Sequence, residues 1–133
     1  MKYYIGALKK YASFSGRASR REFWMFFLFM VIACIVCMII DIRLGTTLEL
    51  DLGFGPMPTP YGYVLIAYLI ITLLPGLALS VRRMHDINKT GWILLVQFIP
   101  IVGGIWLLVL YCLPGTIGDN QYGPDPYAEA VAA

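Results

Sequence analysis

The chain has 133 residues, room for one domain, and 59% of them are hydrophobic against 14% charged. Soluble domains carry roughly a quarter charged residues, and one this small needs more polar surface than this sequence holds, so a water-solvated globule is excluded and lipid is the expected surround. The net charge of +2 is too small to indicate a nucleic-acid partner.

The first 21 residues contain Lys2, Lys9, Lys10, Arg17, Arg20 and Arg21 and no acid. Tyr4, Leu8 and Tyr11 recur at helical spacing beside Lys9 and Lys10, so a short interfacial helix is expected within 1–18, tyrosines toward the acyl chains. Ser19-Arg20-Arg21-Glu22 has the form of a capping box, and a first membrane span is expected over 20–40. The eighteen apolar residues 23–40 reach about 27 Å as a helix, close to the hydrocarbon thickness. No small-residue cleavage site follows them, which favours a retained span over a signal peptide.

Residues 41–60 bring Asp41, Arg43, Glu49 and Asp51, then Gly53, Gly55, Pro56, Pro58 and Pro60. These exclude a continuous helix and predict a loop with one short turn over 46–51. A second span is expected over 62–83, with Tyr61 and Tyr63 at its interface and Pro75 kinking it. The carbonyl freed by Pro75 needs a donor, and Thr72 or a neighbouring helix is the expected source.

A charged island follows, containing Arg82, Arg83, His85, Asp86 and Lys89 and the chain's sole histidine. The apolar run 92–113 is interrupted by Gln97, Pro100, Gly103 and Gly104. It reads either as one kinked third span or as a re-entrant hairpin turning at 100–104, whose arms are each too short to cross. Residues 114–133 form a turn-rich tail with acids and no base.

The expected fold is therefore all-α and integral to the membrane: one domain, 1–133, a small bundle of three transmembrane helices with a short N-terminal interfacial helix. Basic residues concentrate before the first span and in the island, so the N-terminus and the island are expected to face the cytoplasm. The tail lies outside with three spans and inside with the hairpin. Cys34 and Cys37 have metal-motif spacing but lie in an apolar run, where the thiolate is disfavoured, and are expected to be small packing residues.

Several motifs occur in the same order as in a known group. They are Gly16-Arg17-Ala18-Ser19-Arg20-Arg21-Glu22-Phe23-Trp24, Arg82-Arg83-Met84-His85-Asp86 with Gly91-Trp92, Ile99-Pro100-Ile101-Val102-Gly103, and Pro114-Gly115-Thr116 with Asn120, Tyr122-Gly123 and Asp125-Pro126. By these the chain resembles the YhaH-like family of small bacterial inner-membrane proteins, a domain of unknown function. The resemblance implies an inner-membrane location and transfers no catalytic residue. The tail departs from the family pattern in lacking basic residues.

The candidate site residues are Arg17, Arg20, Arg21, Arg82, Arg83, His85, Asp86 and Lys89, read as holding an anionic phospholipid headgroup or a partner protein at the inner leaflet. On a helix Asp86 is within reach of Arg82 and Arg83, and the arginine fork suits a phosphate. The competing reading makes Arg82, Arg83 and Lys89 topological anchors that hold the loop in the cytoplasm, with Asp86 tempering their repulsion. His85 and Asp86 diverge by about 100° on a helix, a poor geometry for a catalytic pair. With no second histidine for a metal and no phosphate loop, neither enzyme nor cofactor is expected. A homo-oligomeric channel or transporter component is the alternative function, with close helix approach at Gly103 and Gly104 and Gln97 as the strongest polar group in the spans.

Overall fold

The computed structural model describes residues 11–51, 53 and 55–127. The tyrosine-lysine segment expected to lie in the interface falls almost wholly outside them, and residues 11–19 are not helical.

Helix α1 is Arg20–Leu44. Ser19 caps it, its hydroxyl accepting from the Glu22 N–H, so the helix starts where the capping box predicts. It runs past the expected end at residue 40, and Gly45 closes it in the left-handed conformation at φ 66°. Asp41, read from the sequence as the end of the span, is buried inside the helix. Its carboxylate accepts from the backbone N–H of Val64 at 3.0 Å and Leu65 at 2.9 Å and from the Thr46 hydroxyl at 2.6 Å. It thereby caps the next helix, whose own N-cap residue, Gly62, has no side chain to do so. Only glycine fits there, since an added Cβ would lie 2.3 Å from Asp41 Cγ.

The stretch expected to be a loop is a two-stranded antiparallel hairpin, β1 (Thr47–Asp51) with β2 (Pro56–Gly62). The fold is therefore not all-α. Prolines at 56, 58 and 60 do not forbid this, because a two-stranded ribbon has only edge strands. The Thr59 hydroxyl bonds the Leu48 carbonyl at 2.6 Å across the ribbon.

Helix α2 is Tyr63–Asp86. Pro75 lies within it, but Thr72 donates to the Tyr68 carbonyl at 2.8 Å, not to the carbonyl of residue 71 that the proline frees. Helices α1 and α2 are long and apolar enough to cross a membrane. Their apolar side chains point outward; Ile71 and Leu73 are each 70% exposed. A soluble protein would bury such helices, so this is a helical membrane protein.

The third apolar run is not a third helix of that kind. It divides into a 3-10 helix, Gly91–Phe98, and α3, Val102–Cys112, joined by a turn in which Ile101 takes a positive φ of 66°. Gly103 packs against the Val96 carbonyl, where an added Cβ would lie 1.9 Å from the oxygen. The run thus folds back on itself at 99–103 instead of continuing as one helix. At eight and eleven residues, neither arm reaches across a hydrocarbon core of about 30 Å.

Two small apolar clusters hold the island end together. Ala18, Phe23, Phe26 and Leu79 join α1 to α2, and Met84, Ile87, Leu107 and Leu110 join α2 to α3. Tyr111 packs on both and stacks on Phe23 at 4.2 Å. Cys34 and Cys37 are half-buried, and Cys112 is exposed.

Candidate functional site

The end of α2 is where the N-terminal segment, α2 and the tail meet. Asp86, fully buried, is the hub. Its Oδ1 accepts from Arg17 Nε at 3.1 Å and lies 3.0 Å from Arg17 Nη2. Its Oδ2 accepts from Arg83 Nη1, one helical turn back. The two guanidinium groups then reach into the tail. Arg17 donates to the carbonyls of Gly118 and Thr116, both at 2.6 Å, and Arg83 to those of Tyr111 and Leu113. Burial disfavours each of these charges alone, and pairing plus carbonyl acceptors offsets that cost.

The backbone completes the clasp. The Thr116 N–H and hydroxyl both donate to the Asp86 carbonyl, at 2.8 and 3.1 Å. The Ala18 N–H donates to the Arg82 carbonyl at 3.0 Å. Asn120 donates its amide to the His85 carbonyl and the Thr116 hydroxyl, both at 2.9 Å. Gly115 has to be glycine, since a Cβ would lie 2.3 Å from Asp86 Oδ2. Within the tail, Asp125 accepts from the N–H groups of Tyr127 and Gly118. The Tyr127 bond first, then the Gly118 bond and the nearby Arg17 charge, hold its carboxyl below the ordinary 3.8 despite some desolvation.

Of the eight residues singled out from the sequence, Arg17, Arg83 and Asp86 form this clasp. Arg83 and Asp86 pair at i,i+3 as expected, whereas Arg82 turns away from Asp86 toward Glu22, 3.4 Å off. His85 stacks flat on Tyr122, ring centroids 3.9 Å apart, with Nδ1 3.2 Å from the Gly16 carbonyl. A carbonyl can only accept, so Nδ1 carries the proton. Arg20, Arg21 and Lys89 are exposed, Arg20 donating to the Cys112 carbonyl at 3.2 Å. The tail residues Gly115, Thr116, Asn120 and Tyr122 were read as turn formers and as part of a family motif, not as site residues.

Away from the clasp, a groove of about 560 Å³ between α1, α2 and the hairpin is walled by Phe23, Phe26, Met30 and Leu69, with Gln97 and Tyr111 among its polar members. Among the described residues no group of three or more His, Cys, Asp or Glu is placed to hold a metal.

A family model described as "Protein of unknown function (DUF805)" matches residues 11–124. The chain is 42% identical over 126 residues to Inner membrane protein YhaI of Escherichia coli (strain K12), covering 95% of this chain and 96% of that one. It is 38% identical over 129 residues to Inner membrane protein YhaH of the same strain, covering 97% and 99%. Uncharacterized protein YiiR, again from that strain, is 27% identical over 139 residues, 85% of each chain. No solved structure matches.

Proposed function

The chain belongs to the family described as Protein of unknown function (DUF805), and on that premise we propose a non-enzymatic inner-membrane binding protein whose cytoplasmic end holds anionic phospholipid on Arg20, Arg21 and Lys89. The location follows the names of its relatives YhaI and YhaH. The chain crosses twice through α1 and α2, and the 3-10 helix with α3 dips in and returns. The N-terminal segment, the island and the tail then share the cytoplasmic side, in keeping with the excess of bases in the first two over the 41–60 stretch.

The observation that carries this reading is the division among the cations. Arg17 and Arg83 have their donors engaged by Asp86 and backbone carbonyls, so they position the fold. Arg20, Arg21 and Lys89 are left exposed at that same end, where basic side chains at a membrane surface gain about 1 kcal/mol each from anionic headgroups.

The test is lipid retention. In detergent-purified protein, replacing Arg20, Arg21 and Lys89 together by serine is expected to remove most co-purified phosphatidylglycerol and cardiolipin. Phosphatidylethanolamine and the melting temperature should change little. Unchanged retention of the anionic lipids would refute the reading and turn attention to a protein partner on this face.

A further inference from the structure

We propose that Arg82 is a discrete phosphate-binding site, kept closed by Glu22 when no phosphate is bound. The inference deepens the reading above, resting on it for the side of the membrane and for access to lipid.

Three arginines are buried at the clasp, and two are fully used. Arg82 is the exception: it is 2% exposed, yet among the described residues its Nε and Nη2 are the buried side-chain nitrogens without a hydrogen-bond partner. These two N–H groups form one side-on edge of the guanidinium, the edge that grips two oxygens of an oxyanion in parallel. Arg17 presents the same pair of nitrogens to Asp86, so this chain already uses that edge for an anion.

The third nitrogen, Nη1, touches the Glu22 carboxylate at 3.4 Å, longer than the roughly 2.7–2.9 Å of a well-made charge-assisted bond. The ion pairs of this region join three guanidinium groups to two carboxylates, leaving one positive charge over. Asp125, the next carboxylate, accepts from the backbone N–H of Gly118 and Tyr127 within the tail, and its nearby cation is Arg17. A buried cation with an empty bidentate edge is short of one anion.

Access follows from Glu22's position. It is the third residue of α1, its side chain 20% exposed, directly after the exposed Arg20 and Arg21. Rotation of its flexible side chain toward water vacates Nη1, the nitrogen beside the unpartnered Nη2. An entering phosphate, with two non-bridging oxygens, takes the place vacated at Nη1 and reaches Nη2 and, beyond it, the unpartnered Nε. The phosphate comes either from a phospholipid headgroup or from solution.

The experiment uses the full chain, in detergent with inorganic phosphate and in nanodiscs of phosphatidylcholine with or without phosphatidylglycerol, reading the melting temperature against probe concentration. Wild type should show a saturable rise. Glu22→Gln removes the competing charge and should bind at least three-fold more tightly. Arg82→Lys keeps the charge but lacks the two-pronged edge, and should bind at least ten-fold more weakly. A response to inorganic phosphate identifies a free-phosphate site; a response confined to phosphatidylglycerol discs identifies a headgroup site. The rise should survive serine at Arg20, Arg21 and Lys89 together, which separates this site from the exposed patch. The proposal is overturned if neither probe gives a saturable rise, if Glu22→Gln does not tighten binding, if Arg82→Lys binds like wild type, or if the triple serine variant abolishes the response. Should Arg82→Lys fail to fold, the Glu22→Gln arm decides alone.

Discussion

Asp86 shows how far a single residue could be understood before the fold was known. Its pairing with Arg83 was legible, because three residues on a helix bring side chains together. Its pairing with Arg17, 69 positions away, was not, since no local rule links them. The same holds for Asp41, whose proximity to Val64 and Leu65 depends on how α1 and α2 pack. His85 went as the helical geometry required, away from Asp86 and toward Gly16 and Tyr122. Replacing Asp86 by Asn leaves two buried guanidinium groups without a counter-charge. Loss of a buried partner of this kind costs about 3–5 kcal/mol, so a large fall in detergent melting temperature is expected. A wild-type melting curve for Asp86→Asn would mean the clasp contributes nothing to stability.

At the scale of elements, the helix start at Ser19 was readable because capping is local chemistry, and both long helices were readable from hydrophobic length alone. The ribbon β1–β2 was missed: its glycines and prolines were read as excluding a helix and the stretch as a loop, whereas prolines are tolerated in edge strands. The third run was left open between a kinked span and a re-entrant hairpin, and it folds back at Ile101 with a close approach of Gly103 to Val96. This approach is testable with neighbouring glycines. Gly103→Ala places a methyl group against the Val96 carbonyl and should cost about 1–3 kcal/mol, as overpacking does, whereas Gly104 faces open space and Gly104→Ala should be near neutral. Equal melting temperatures for the two variants would contradict the hairpin packing.

For the whole molecule, the decisive feature is that the tail is tied to the end of α2 through Thr116 and Asn120 and to Arg17 through Thr116 and Gly118. On the proposed topology a C-terminal fusion should therefore report the cytoplasm: a fluorescent protein should mature and shine, and an alkaline phosphatase should stay inactive. The opposite pattern would restore a third crossing and remove the tail from the clasp. Composition alone determined that this chain lies in lipid, because 59% hydrophobic residues leave too little polar surface for water. Hydrophobic length and capping located both long helices, since each of those signals acts within a few turns. Which arginines are engaged and which are free was decided only in three dimensions. Burial and hydrogen-bond completion depend on segments as far apart as Arg17 and Gly118, brought together by packing at one end of the fold.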